Sequence, residues 1–403
     1  MDQKNIDVFF EEFLDKKSIF TNKKALQSNF TPETTPHRDK QIQEIADILA
    51  PALKLDKPSN LFIYGKTGTG KTLSIKFTSN KLINVATKRK IPLKTIYLNC
   101  KLKKIADTEY RLVAQISREL GQEIPSTGLP TEEVYKIVFN LIEKENSLIL
   151  LILDEIDQLV SKTGDEVLYN LTRINSELQK SQISIIGVSN DLMFRDNLDP
   201  RVKSSLSEEE IIFPPYNAIQ IQDILRQRAK KAFQKKSMKS GVIEKCAAYA
   251  AREHGDARRA LELLRVAGEL AERKNKEKIE LDDIDFAEEK IEKDRILDII
   301  RTQPKQHQAI LYSILSICSK KEKQIFTGEV YEVYKKICSK TNIRPLTQRR
   351  VSDVIAELDM LGIINAKVIS KGRYGRTRDI TLSISESSEQ TIKNILEEGL
   401  DIS

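Results

Sequence analysis

A chain of 403 residues, 40% hydrophobic and 31% charged, is long enough for two to three domains with a core in each. The four cysteines (100, 246, 318, 338) are far apart with no C-x-x-C pair and the three histidines are scattered, which speaks against a disulfide framework or a zinc site. No signal-type apolar segment follows the polar opening residues, and the strongest apolar run, 148–153, is far short of a bilayer span; the expectation is a cytoplasmic protein with no membrane partner.

The net charge of +7 is unevenly spread. Residues 301–380 hold sixteen Lys and Arg against seven Asp and Glu, a local excess of +9 that leaves −2 for the rest, so a polyanionic partner is expected there.

In chain order, residues 1–30 carry Phe9, Phe10, Phe13, Leu14 and Phe20 among charges and predict a short amphipathic helix followed by a strap. A turn-rich stretch, 31–36, leads through His37-Arg38-Asp39 into a helix with Ile42, Ile45, Ile48 and Leu49 on one face. Leu61-Phe62-Ile63-Tyr64 reads as a buried strand, and Gly65-Lys66-Thr67-Gly68-Thr69-Gly70-Lys71-Thr72 then fits G-x-x-x-x-G-K-[ST], a phosphate-binding loop opening a helix. Gly65, Gly68 and Gly70 permit a turn in which backbone N–H groups curl around an anion, Lys71 is placed to meet the β- and γ-phosphates, and Thr72 offers a hydroxyl to Mg²⁺. A nucleotide, ATP or ADP, is the ligand expected.

Residues 94–99 predict a second strand, and 101–145 read as largely helical, broken at Gly121 and at 125–130. The run 148–153 is apolar on both faces, as in a central parallel strand covered by helices, and ends in Asp154-Glu155. At the carboxyl edge of such a sheet Asp154 can hold Mg²⁺ and Glu155 can orient or deprotonate a water. A further strand, 183–189, ends in Asn190, which could reach the γ-phosphate or that water; Arg201 follows on a short exposed helix, and Ile211-Ile212-Phe213 predicts the fifth strand. Helical blocks are expected at 217–233, 241–254, 256–274 and 281–301, with Gly255 ending one helix, Asp256 capping the next and Arg258 projecting from its first turn.

Toward the C-terminus, Val351, Val354, Ile355, Leu358 and Leu361 share one helix face, with Thr347, Gln348 and Arg349 off that stripe, beside Arg350, at the end where recognition helices meet base edges. A hairpin follows whose tip is basic and bent by glycine, carrying Lys371, Arg373, Tyr374, Arg376 and Arg378. Helix, helix and basic wing predict a winged helix on duplex DNA, whereas Lys320-Lys321-Glu322-Lys323 reads as a solvated charge run.

In this order the motifs resemble the AAA+ ATPases of the archaeal origin-recognition initiator family, over roughly 15–400. The most specific pieces are Thr35-Pro36-His37-Arg38-Asp39, 200–206, Phe213-Pro214-Pro215-Tyr216 and 255–261, with Asp39 standing where Glu is commoner in that family. The resemblance implies an α/β P-loop domain with a parallel sheet (1–215), a helical lid (216–300) and a C-terminal winged helix (301–403). It also implies Tyr216 and Arg228 as lid residues meeting the nucleotide, Asn190 as sensor 1, Arg258 as sensor 2, Arg201 as an arginine finger, and a two-helix, DNA-touching insertion at 101–130. Its partners would be origin duplex DNA, which makes the protein nucleoid-associated, an MCM-type replicative helicase and other copies or paralogues of itself, with slow, regulatory hydrolysis. Two alternatives stay open: an ATP-sensing winged-helix transcription regulator, whose kind usually appends a long repeat array, and a clamp-loader-like ATPase, for which a collar rather than a wing is expected.

Overall fold

The structure, a computed structural model, describes residues 17–402 apart from 28–29, 33, 102–106, 126, 207, 254, 319–324, 371–375 and 384–385. The chain divides into two compact units, Met1–Ile284 and Asp285–Ser403.

The first unit is built on a five-stranded sheet, β1 (Asn60–Tyr64), β2 (Leu93–Asn99), β3 (Leu148–Asp154), β4 (Gln182–Ser189) and β5 (Glu208–Ile212), in the order β2-β3-β4-β1-β5 with all neighbours parallel. The helix α1 (Asp39–Leu49) precedes the sheet; the crossovers that parallel strands need are supplied by α2 (Lys71–Arg89), α3 (Glu109–Glu119), α4 (Thr131–Glu145), α5 (Ile156–Thr163), α6 (Glu166–Glu177) and α7 (Pro200–Leu206). β3 is buried at every position, its side chains dividing between two apolar clusters, Leu151 and Leu153 in one and Leu150 and Ile152 in the other. That two-sided burial is what the unbroken apolar run 148–153 encodes. In register, Asn99 stands opposite Asp154, Asp154 opposite Val188, and Tyr64 opposite Ser189, so the residues that follow three strands meet at one sheet edge.

Helices α8 (Ala218–Ala232), α9 (Val242–Arg252) and α10 (Ala257–Arg273) complete the unit, close to the helical blocks expected there. An N-terminal strap lies on them. Thr21 and Asn22 donate backbone N–H bonds to Ala232 O (2.8 and 3.0 Å), Phe20 stacks on Phe233 at 4.7 Å, and Lys23 pairs with Glu269 at 2.8 Å. The amphipathic helix expected before the strap lies in residues 1–16, outside the described residues.

The second unit holds the end of α11 (Leu281–Thr302), then α12 (Lys305–Cys318), β6 (Ile325–Phe326), α13 (Thr327–Lys340), α14 (Gln348–Met360), β7 (Ile364–Ser370), β8 (Arg376–Leu382) and α15 (Glu386–Gly399). The strands form an antiparallel sheet β6-β8-β7, the wing, beside a core that includes Ile310, Ile314, Val330, Tyr334, Ile364 and Leu396.

Two expectations need correction. The fifth strand begins at Glu208 rather than at 211, because on a sheet edge the acidic side chains find Arg195: its guanidinium pairs with Glu208 at 2.6 Å and Glu210 at 3.1 Å. Leu361 leaves the apolar stripe, since α14 stops at Met360 and Leu361 becomes the capping residue, 39% exposed, while Val351, Val354, Ile355 and Leu358 are fully buried. Within 101–130 the described residues hold the helix α3; the stretch before it, 102–106, where the two-helix insertion is also expected, lies outside them. The run Lys320-Lys321-Glu322-Lys323 also falls outside the described residues.

Leu151, 1% exposed in the central strand, tests the two-sided core. Leu151→Ala should lower unfolding free energy by about 2–5 kcal/mol, measured by denaturant unfolding, because neighbours on a parallel sheet relax little into a cavity.

Candidate functional site

The phosphate-type loop begins where β1 ends. Gly68 (φ 70°) and Gly70 (φ 92°) are in the left-handed region, and the space is as demanding as the dihedrals: a Cβ on Gly68 would come within 1.7 Å of Asp256 Oδ1, and one on Gly70 within 2.8 Å of the Tyr216 hydroxyl. Lys71, at the first turn of α2, is 5% exposed and donates to Gly65 O (2.7 Å), Lys66 O (2.8 Å) and Asn190 Oδ1 (2.9 Å). Burial pushes its ammonium pKa down to about 8, against the pull of Asp154. The loop threonines are engaged within the protein: Thr69 Oγ1 donates to Lys66 O (2.8 Å), and Thr67 Oγ1 to Asp256 Oδ2 (3.4 Å).

Thr72 Oγ1 donates to both oxygens of Asp154, at 3.2 and 3.0 Å. The neighbouring Glu155 has φ 56°, a left-handed conformation that costs a non-glycine residue on the order of 1 kcal/mol or more, and its carboxylate lies 3.8 Å from Lys101 Nζ. These groups line one cavity of about 690 Å³ together with Asn190, Tyr216, Arg228 and Arg258. The structure therefore brings together Lys71, Thr72, Asp154, Glu155 and Asn190 from three strand ends, with Arg258 facing them from α10.

Arg201 is elsewhere. It sits in α7, its side chain is 86% exposed and bonded to Asp199 (3.2 Å), and it does not line the cavity. Arg228 lines the cavity but is mostly buried, and it holds the strap: it donates to Ala25 O (3.2 Å) and Phe30 O (3.4 Å), with its guanidinium 4.6 Å from the Phe30 ring.

Three contacts went unread in the sequence. Arg38, 2% exposed, donates from Nε to Thr69 O (2.9 Å) and from Nη2 to Pro214 O (2.6 Å) and stacks 3.9 Å from the Tyr216 ring. The Tyr97 hydroxyl donates to Asp154 Oδ2 at 2.6 Å. Asp256, expected as a helix cap, does cap α10 by accepting from Arg258 N (2.7 Å), and the same carboxylate rests on Gly68 of the loop. Only the second had a local signal: alternation along β2 puts Tyr97 on the face it shares with Asn99, whose register partner is Asp154.

On the second unit, Thr347 caps α14, accepting from Arg350 N at 3.4 Å, and Gln348 and Arg349 are exposed in its first turn. Arg350 is paired along its own helix, with Glu357 at 3.3 Å and Asp353 at 3.9 Å. Arg378 is half-buried in β8, with its N–H on Thr327 Oγ1 (3.3 Å), and Arg376 opens that strand with a side chain outside the description. Lys371, Arg373 and Tyr374 lie outside the described residues.

A P-loop at the end of β1, an acid pair at the end of β3, a polar residue at the end of β4 and a three-helix lid define an AAA+ nucleotide-binding protein, here followed by a winged helix. Family models match in the same order: an AAA domain over residues 55–192, a Cdc6 AAA+ ATPase-type lid domain over 222–289 and a CDC6 C-terminal winged helix domain over 298–390. The chain is 51% identical to the ORC1-type DNA replication protein of Thermococcus onnurineus, over 98% of this chain and 95% of that one, and 52% identical to that of Pyrococcus abyssi, over 95% and 92%. It superposes with a TM-score of 0.81 on the Aeropyrum pernix ORC1 protein solved in complex with DNA, at 41% identity over 95% of this chain and 98% of that one. The chain belongs to the archaeal ORC1/Cdc6 family of DNA replication proteins. That membership sets aside the transcription regulator and the clamp loader. No helix among the described residues is long and apolar enough to cross a membrane.

Because burial depresses the Lys71 pKa, the free protein loses this charge as pH rises through about 8, and an anion that needs it must bind with proton uptake. ATP affinity should therefore fall above pH 8, and calorimetry at pH 8.5 in buffers of unlike ionisation enthalpy should report uptake that vanishes in Lys71→Ala along with most of the affinity. Wild-type affinity that stays level from pH 7 to 9.5 would contradict it.

Proposed function

We propose that this protein is an ATP-switched replication initiator that binds origin duplex DNA and helps recruit or load an MCM-type helicase, acting with other copies or paralogues of itself on DNA. The observation that carries the nucleotide half is the convergence of Lys71, Thr72, Asp154 and Asn190 within hydrogen-bonding distance in one cavity. The DNA half rests on the exposed N-terminal turn of α14 beside the wing and on the likeness to the Aeropyrum ORC1 protein.

In this reading the loop from Gly65 to Thr72, with Lys66, Thr67, Gly68, Thr69 and Gly70, surrounds the phosphates, and Lys71 exchanges its loop carbonyls for phosphate oxygens. Tyr216 and Arg228 form part of the cavity wall and meet the nucleotide from the lid side, Arg228 also fixing the strap. The Thr72 hydroxyl and Asp154 carboxylate are hard oxygen donors within 3.2 Å of one another, a set that fits Mg²⁺. Bound there, the ion neutralises phosphate charge. Glu155 orients or deprotonates water, Asn190 positions it while holding Lys71, and Arg258 closes over the nucleotide of its own chain. Arg201, exposed and away from its own cavity, completes the site of a neighbouring copy. Hydrolysis is slow and sets a conformation. Thr347, Gln348 and Arg349 face base edges, while Arg350, Arg376, Arg378 and the tip residues Lys371, Arg373 and Tyr374 carry backbone contacts.

Mapping bound DNA across the genome tests the whole: a few sites at replication start points are expected, and a spread over promoters would refute it. In the isolated monomer Arg258→Ala should slow ATP hydrolysis and Arg201→Ala should leave ATP binding intact. In the assembled complex Arg201→Ala should cost on the order of a thousandfold in rate, and loss of monomer nucleotide binding in Arg201→Ala would overturn the trans role. Arg349→Ala should relax sequence preference, and Arg378→Ala should weaken duplex binding evenly and reduce the salt slope by about one; a double variant with unchanged affinity would return this face to solvent.

A further inference from the structure

The Asp154 carboxylate is held by three donors. Thr72 Oγ1 reaches both of its oxygens, the Glu155 N–H reaches Oδ1 at 3.1 Å, and the Tyr97 hydroxyl reaches Oδ2 at 2.6 Å. The last is the shortest, in the range of a charge-assisted O–H···O⁻ bond, and it comes from a different strand. We infer that Tyr97 is a positioning residue for the magnesium pair Thr72 and Asp154, setting the rotation of the carboxylate so that the acid and the hydroxyl present their oxygens to one cation; this rests on the magnesium reading above.

The geometry is specific to that task. Thr72 shares one proton between the two oxygens at 3.2 and 3.0 Å and the Glu155 N–H holds only Oδ1, which leaves play in a terminal torsion that is broad for an Asp side chain. A donor fixed on β2 removes that freedom. The Tyr97 ring is itself fixed: Lys76 Nζ lies 3.8 Å from its centroid, and Lys76 stands four residues after Thr72, on the same face of α2. One aromatic ring thus joins the helix that carries the hydroxyl to the strand that carries the acid. Tyr97 also lines the cavity, unlike the apolar residues that flank it in β2, which pack in the core.

Groups that orient a metal-binding side chain typically contribute 10–100-fold to metal affinity. The test is Tyr97→Phe in the full chain, which removes the hydroxyl and keeps the ring under Lys76. Binding of a fluorescent ADP analogue is measured in EDTA and across a Mg²⁺ titration, and Mn²⁺ binding to the ADP complex is followed by electron paramagnetic resonance. The expected result is affinity in EDTA within about twofold of wild type, an unchanged melting temperature in EDTA, and a Mg²⁺ midpoint and Mn²⁺ dissociation constant raised roughly 10–100-fold. Superimposable Mg²⁺ titrations would overturn the role of Tyr97 while leaving the magnesium reading in place, provided that Asp154→Asn shifts them. Titrations that neither Asp154→Asn nor Tyr97→Phe shifts would overturn both. A Tyr97→Phe protein that loses affinity and melting temperature equally in EDTA would make the hydroxyl a determinant of the fold instead.

Discussion

The site depends on a cation sealed inside the protein. Among the described residues no carboxylate pairs with Arg38, which is 2% exposed; its compensation is the carbonyls of Thr69 and Pro214 and the faces of Tyr216 and Phe213, at 3.9 and 5.4 Å. Burying an arginine this way costs free energy, and burial does lower its pKa. What the arrangement gains is connection. Thr69 belongs to the phosphate-type loop, Pro214 and Tyr216 to the segment joining the sheet to the lid helices, and Arg38 to the N-terminal entry. None of the three can shift without breaking a contact to the same guanidinium.

A second link closes the circuit from the other side. The strap before Arg38 is bonded to α8 and α10, while the Asp256 carboxylate caps α10 and lies on Gly68. The cavity is therefore bounded by lid, strap and loop: the lid touches both of the others, and Arg38 ties the loop to the segment that leads into the lid. A ligand that reorganises the loop must act on Asp256 and Arg38 together, which is the physical basis for expecting a nucleotide to set the position of the lid. Gly255 shows how tightly this is built: a Cβ there would meet Tyr216 O at 2.4 Å.

The parts of this site legible in the sequence are those whose chemistry is local. A loop of fixed spacing, an acid pair at the end of an apolar run, and a cap before a helix each announce themselves within about ten residues, and the winged helix follows from one amphipathic stripe and one basic hairpin. The contacts that escaped are long-range: Arg38 to Pro214 spans 176 positions, and Thr67 to Asp256 spans 189. The fifth strand starts earlier than its apolar residues suggest, because its acidic start reads as a loop until Arg195 supplies the counter-charge. Leu361 was misplaced because helical periodicity does not say where a helix ends.

Local charge counts overstate what the second unit can offer a polyanion. Arg350 contributes to the basic excess between 301 and 380, yet its guanidinium is shared between Glu357 and Asp353, and Glu357 also takes a 2.7 Å bond from His307, whose approach holds the carboxyl below the usual range. To reach a phosphate, Arg350 would have to leave an anion that has a second partner waiting, so part of the gain from the new contact is offset by the old one. Arg349, one residue earlier, is exposed at the helix N-terminus, where the backbone also favours an anion. Two adjacent arginines, indistinguishable by composition, are thereby separated by their neighbours: the first is exposed at the helix end, and the second meets a backbone phosphate only by giving up its carboxylate partners.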